Sequence, residues 1–176
     1  ALVNEMAIFC DELGVNLWEA IEAAATKPFG FQKFLPGPGV GGHCIPVDPS
    51  YLSYTVRKLG YPFRFVELAQ EINERMPSYV VTRVQRLLNR ARKPVNGSHV
   101  VLLGVTYKPD ISDTRETPAV PVAEALLELG ADLSYCDPFV KEWSVKGRVI
   151  PRRESLEEAV EEADVAVLLQ QHSAFD

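Results

Sequence analysis

The chain has 176 residues, 47% of them apolar and 24% charged, and a formal net charge of -6. That length is enough to bury one large core or two small ones. The negative balance argues against general attraction to nucleic acid or to an anionic membrane surface, and leaves room only for a local cationic pocket. No apolar run approaches the roughly 20 residues that cross a bilayer, and the first residues lack the basic start of a signal peptide.

Cys10, Cys44 and Cys136 have no regular spacing, which argues against a disulfide framework and for a reducing, cytoplasmic setting. Cys10 and Cys136 sit in apolar patterns and are expected to be buried small hydrophobes.

Leu2, Val3, Met6, Phe9, Cys10 and Leu13 recur at helical spacing, and Gly14 stops that helix. Asn16 with Glu19 three residues on resembles a capping box and opens a second helix to about Thr26. Residues 27–49 hold five glycines and five prolines, a loop long enough to be functional. Phe29, Phe31, Phe34 and Leu35 lie within it and are expected to be buried. Asp48-Pro49 predicts a helix cap followed by proline at the first helical position, with the helix ending near Leu59.

A long helical stripe follows from Phe63 to Arg90, which Pro77 is expected to kink or split. Pro94 to Gly97 is a turn and a plausible boundary. Beyond it the period changes. His99–Val105, Asp132–Cys136 and Val165–Leu169 are apolar strand runs, with a shorter strand at 148–151. Helical patterns at 118–129 and 155–162 alternate with them, which means βαβ units and a parallel sheet. The acidic cluster Glu157, Glu158, Glu161 and Glu162 is expected to be a solvated helix face. His99 and His172 show no partner pattern and are expected to be structural or exposed. Both ends of the chain look cut: the sequence opens inside a helix and closes just after a strand.

The richest chemistry lies in the run Gly37-Pro38-Gly39-Val40-Gly41-Gly42-His43-Cys44-Ile45-Pro46-Val47-Asp48-Pro49. Glycines at this density let the backbone approach a ligand and aim N–H groups at anionic oxygens. A cysteine directly after them is in a setting where thiols become reactive. Asp48 can accept a proton or position water. The plainer alternatives are an inert Cys44 and an Asp48 that only caps a helix. The spacing of His43, Cys44 and Asp48 fits no structural zinc pattern, and no metal is expected.

The first strand ends in Leu103-Gly104-Val105-Thr106-Tyr107-Lys108-Pro109-Asp110, with one glycine and no dinucleotide fingerprint. Lys108 lies where ligands of open α/β sheets bind, although a solvated loop lysine is the simpler reading. Arg115 can make bidentate phosphate contacts or pair internally with Asp113 or Glu116.

Gly41-Gly42-His43-Cys44-Ile45-Pro46-Val47-Asp48-Pro49 resembles the active-site loop of the UDP-glucose/GDP-mannose dehydrogenase family. Thr106-Tyr107-Lys108-Pro109-Asp110 with Asp113-Thr114-Arg115-Glu116 resembles that family's second signature, in the expected order. The resemblance implies an α/β fold in two parts: a helical central dimerisation region with the cysteine loop over 1–95, and an incomplete Rossmann-like, parallel-sheet UDP-sugar-binding domain over 96–176. The family's NAD-binding Rossmann domain, with its catalytic lysine and asparagine, would precede Ala1, so this portion alone is expected to be inactive.

The resemblance also implies the chemistry. Two NAD+ accept two hydrides as the sugar C6 alcohol becomes an acid, and a thiol carries the aldehyde stage as thiohemiacetal and thioester. Cys44 would be the nucleophile and Asp48 would assist water or proton transfer. Phe34, Leu35, Gly37, Gly41 and Gly42 would line the nucleotide-sugar site, Lys108 would contact substrate, and Arg115 would reach NAD. The His-Cys-Ile-Pro-Val-Asp form looks like members acting on UDP-N-acetylhexosamines, with UDP-N-acetylglucosamine foremost. UDP-glucose members usually show Ser and Lys where this chain has His43 and Val47. The expected role is supplying uronic-acid sugars for surface polysaccharides, as a cytoplasmic homodimer. The competing readings are a UDP-glucose enzyme, a dimerising nucleotide-sugar binding module without activity, and a thiol hydrolase pairing Cys44 with His43.

Overall fold

Four helices precede the first strand in a computed structural model that describes residues 1–175. Helix α1 (Leu2–Leu13) ends on Gly14, whose left-handed φ of 68° turns its N–H back toward the last carbonyls of the helix. Helix α2 (Leu17–Ala25) starts as predicted. The Asn16 side-chain oxygen accepts the N–H groups of Trp18 and Glu19, and its amide donates to Glu19 at 2.9 Å. The two helices share a small interior of Cys10, Leu17 and Ile21.

That interior is too small to receive the loop aromatics. Phe29, Phe31, Phe34 and Leu35 are exposed, not buried as the sequence led us to expect. Within α1, Leu2 and Leu13 also face outward, while the polar Asn4 is buried.

Helix α3 (Cys44–Lys58) begins at Cys44 instead of at the predicted Pro49. Asp48 therefore lies in its second turn and caps nothing. Pro46 falls in the first turn, where a missing N–H breaks no helical bond, whereas Pro49, predicted at the first position, lies inside the helix and removes the usual donor to the Ile45 carbonyl. Helix α4 (Arg64–Arg90) runs through Pro77 without being split. What the proline removes is the usual helical donor to the Asn73 carbonyl, four residues back.

Strands β1 (His99–Leu103), β2 (Asp132–Cys136) and β5 (Val165–Leu168) form a parallel sheet in the order β2-β1-β5. Helix α5 (Ala119–Glu128) connects β1 to β2, and α6 (Leu156–Glu161) precedes β5. Side chains alternate across β1. Val100 and Leu102 join Val84 and Leu88 of α4 and Val122 and Leu126 of α5 in the main core. Val101 and Leu103 face the other way, toward Cys136 and Ala159. The sheet is thus covered by α4 and α5 on one face and by α6 on the other. Strands β3 (Ser144–Val145) and β4 (Arg148–Val149) form a small antiparallel hairpin, of which only the second strand is visible in the sequence pattern.

Because β2 and β5 flank β1 on opposite sides, the carboxyl ends of β1 and β5 form the switch point at which such sheets bind ligands.

Candidate active site

The glycine-rich loop is held from two directions. At its entry, the Gly37 N–H donates to Oδ1 of Asn4 at 2.9 Å, and the Asn4 amide donates to Oδ1 of Asn73 at 2.9 Å. This relay ties the loop to α1 and α4. Further along, the loop lies flat on the second motif. A Cβ on Gly41 would come within 2.5 Å of the Tyr107 Cβ, 2.7 Å of the Glu116 carbonyl oxygen and 2.9 Å of the Pro118 Cδ. Gly42, at a left-handed φ of 85°, lies against the Tyr107 ring. Glu116 is itself left-handed, at φ 50°. The two segments singled out in the sequence, some 65 residues apart, are therefore in contact.

The loop delivers Cys44 to the first position of α3, and its thiol is exposed. Asp48 is one turn further and also exposed. An i, i+4 pair shares a helix face, with Cβ atoms about 5–6 Å apart. Gln70 of α4 fixes this turn from beneath, donating to the Pro46 carbonyl at 3.1 Å and to the Ser50 hydroxyl at 2.6 Å. Ile45, Pro46 and Pro49 occupy the other face of the turn. There they line a largely apolar cleft of about 680 Å³ together with Gln70, Asn73 and Thr117. Cys44, Asp48 and Lys108 are not among the residues lining that cleft.

Phe34 and Leu35 are exposed ahead of Gly37, which is half-buried. Lys108 is exposed at the carboxyl end of β1. Arg115 adopts the plainer of its two readings. Its guanidinium grips Asp113 through both carboxylate oxygens, and its backbone N–H adds a further bond at 3.0 Å. These bonds lower the Asp113 carboxyl to about 2 and raise the Arg115 guanidinium. The Arg115 side chain is still 84% exposed, so the fork remains open to solvent on its outer side.

The single glycine after β1 is not a phosphate cradle. A Cβ on Gly104 would lie 2.1 Å from the Gln170 carbonyl oxygen, so glycine is needed there for backbone packing.

Sequence reasoning missed three participants. Asn4 hides in an apolar helix pattern. Tyr107 is ordinary until Gly41 and Gly42 are seen beneath it. His172 is fully buried, with both ring nitrogens engaged: Asp110 N–H donates to Nδ1 at 3.0 Å, and Nε2 lies 3.0 Å from Oδ2 of Asp137. His99 is also structural, bonded to the Glu162 carbonyl and the Ser134 hydroxyl.

The central-domain model of the UDP-glucose/GDP-mannose dehydrogenase family matches residues 1–75, and that family's UDP binding domain matches residues 101–176. A UDP-N-acetyl-D-mannosamine dehydrogenase of Methanocaldococcus jannaschii is 35% identical over 99% of this chain and 37% of its own length. An NDP-N-acetyl-D-galactosaminuronic acid dehydrogenase of Ralstonia nicotianae is 36% identical over 99% of this chain and 40% of its own. The solved structure of a UDP-D-ManNAc dehydrogenase from Pyrococcus horikoshii superposes with a TM-score of 0.85 at 34% identity, over 99% of this chain and 38% of that one. The chain spans about two fifths of the length of these relatives. With both family domains matched in order across the two motifs that meet at Gly41, the chain belongs to the UDP-glucose/GDP-mannose dehydrogenase family.

Proposed function

We propose that the chain is the central and substrate-binding portion of an NAD-dependent 6-dehydrogenase for a UDP-N-acetylhexosamine, with Cys44 as its nucleophile. The observation that carries this reading is the exposed Cys44 at the head of α3, on a loop pinned by Tyr107 and Glu116 of the second motif. In this reading the C6 alcohol is oxidised twice. NAD+, held by the rest of the full-length protein, supplies the hydride acceptor for each oxidation.

At the aldehyde stage the Cys44 thiolate adds to C6. A C–S bond forms, and the carbonyl electron pair moves onto oxygen, which takes a proton. The thiohemiacetal carbon keeps a hydrogen, and its loss as hydride, with the hydroxyl proton released to solvent, leaves a thioester. Asp48, on the same helix face, takes a proton from the water that attacks this thioester. The C–S bond then breaks, releasing the uronic acid and the thiol.

Phe34, Leu35 and the backbone of Gly37, Gly41 and Gly42 line the nucleotide-sugar site, and Lys108 meets its negative charge. Arg115 turns its open side to the dinucleotide. The chain divides near residue 95 into a dimerising helical part and a UDP-sugar-binding part. The exposed Phe9, Leu13 and Trp18 support a homodimer as the working form. The mannosamine and galactosaminuronic names of the relatives support an N-acetylhexosamine over glucose.

The test is full-length turnover with NAD+ against a panel of UDP- and GDP-sugars, for the parent and for Cys44→Ser. The parent should form acid from a UDP-N-acetylhexosamine, and Cys44→Ser should form none at saturating substrate. Near-normal acid formation by Cys44→Ser would refute the nucleophile role.

A further inference from the structure

We propose that His172 is a positioning residue for nucleotide-sugar binding: it latches the loop after β1 to the ends of β2 and β5, and so fixes the backbone that presents Lys108. The proposal rests on the reading above, in which Lys108 meets the substrate.

The latch is complete in its hydrogen bonds. Nδ1 of His172 accepts the Asp110 N–H at 3.0 Å, so it carries a lone pair, and the ring proton resides on Nε2. Nε2–H faces Oδ2 of Asp137 at 3.0 Å. Asp137 is equally buried, and its oxygens accept the N–H groups of Val105 and Phe139, each at 2.8 Å. Asp110 returns the connection. Its Oδ1 accepts the Ser173 N–H at 2.9 Å and the Ser173 hydroxyl at 3.0 Å, which holds its carboxyl below the usual carboxylate range.

The rings of Phe139 and Phe175 close over the imidazole, with centroids 5.1 and 5.4 Å away. The imidazole is shut off from solvent and both nitrogens are spent, so it has no proton to trade with a substrate. Its role is to hold the loop.

What it holds is the stretch around Lys108. Two residues before it, the Thr106 hydroxyl donates to the Lys108 carbonyl at 2.8 Å. Two residues after it, Asp110 takes a left-handed φ of 58°, a conformation that Asp tolerates better than most residues, and its N–H and carboxylate are held by His172 and Ser173. Lys108 is thus exposed on a backbone fixed on both sides, beyond the carboxyl end of β1. A floppy loop would have to be ordered by the ligand, and that cost would appear in affinity rather than in the chemical step.

The experiment uses the full-length enzyme. His172→Ala should raise KM for the nucleotide sugar by about tenfold, as expected for the loss of one or two positioning hydrogen bonds, with kcat and KM for NAD+ nearly unchanged. His172→Asn keeps an acceptor for the Asp110 N–H and should recover part of the loss. Asp110→Gly keeps the N–H that His172 accepts but removes the Oδ1 bonds to Ser173, at a φ that glycine adopts freely. It should raise the sugar KM by a smaller factor, again with kcat nearly unchanged, and it stands as the second variant if His172→Ala does not fold. A sugar KM that stays at the parent value in these variants while Lys108→Ala raises it overturns the latch and leaves the substrate reading standing. If Lys108→Ala itself leaves the sugar KM unchanged, the substrate reading falls and the latch proposal with it.

Discussion

Gly41→Ala is the most direct probe of how the cysteine loop is built. The added methyl carbon would sit 2.5 Å from the Tyr107 Cβ, 2.7 Å from the Glu116 carbonyl oxygen and 2.9 Å from the Pro118 Cδ, where carbon contacts normally settle at about 3.5–4.0 Å. None of the three atoms is the free end of a long side chain. One is main chain and the other two are rooted directly on it, so the loop itself must lift by about 1 Å.

The φ of Gly41 is outside the left-handed region, so alanine carries no backbone penalty and would by itself gain about 0.4–1 kcal/mol from the unfolded state. Overpacking of this kind costs about 1–3 kcal/mol and outweighs that gain. The expected net is a loss of about 1–2 kcal/mol, a fall in Tm of about 2–8 °C for a chain of this size. Gly37→Ala is the control: its Cβ would meet only the Gly39 carbonyl oxygen at 4.0 Å, and Tm should hold or rise. Thermal melting of both variants is the assay, with full-length turnover as a second readout. If Gly41→Ala melts at or above the parent temperature with parental activity, the loop does not rest on Tyr107 and Glu116, and the union of the two motifs is wrong.

The cysteines and the carboxylates give two further checks. Under native conditions a small alkylating agent should add once, at Cys44; Cys10 and Cys136 are buried, burial also pushes the Cys136 thiol up, and they should react only after denaturation, as peptide mass mapping can establish. A native adduct on Cys136 would contradict the packing of β2 against α6. The pairing of Asp113 with Arg115 depresses its carboxyl from 3.8 to about 2, so its contribution to stability is present above about pH 3.8 and is lost as pH falls toward 2. NMR titration of the side-chain carboxyl should show this depressed midpoint, and Arg115→Ala should raise it only part of the way, because the backbone N–H of residue 115 still donates to Asp113; an unshifted midpoint in the parent would mean the pair does not form in solution.

The sheet was legible because β1 is buried on both faces and reads as an unbroken apolar run, with Gly130 and Pro118 marking the ends of the helix between β1 and β2. The cysteine loop was legible because five glycines and five prolines in 23 residues have few uses other than close backbone approach. Other features escaped for identifiable reasons. The start of α3 was misjudged because Asp48-Pro49 is a good local cap, while the true start depends on where Tyr107 and Glu116 hold the preceding glycines. The exposure of Phe34 and Leu35 could not be read from their hydrophobicity, since burial depends on whether a neighbouring interior has room. His172 gave no signal because its partners are 35 and 62 residues away and meet it only at the rim of a folded sheet. Of the β3–β4 hairpin only the second strand could be read, since the two residues of β3 are too few for any period to register.

Helix α4 is 27 residues long, about 40 Å at 1.5 Å per residue. Its first half carries Gln70 and Asn73, which seat the cysteine turn and the glycine loop; its second half carries Val81, Val84 and Leu88, which lie in the core under the sheet. The helix therefore acts as a ruler between the two motifs. Side chains along it can be exchanged singly at local cost, but its length cannot drift. One inserted residue would turn one half by about 100° against the other, swinging Asn73 away from Asn4 while leaving Leu88 in place. Chains that keep these two motifs in contact are free to vary in composition along this helix and constrained to the same count of residues.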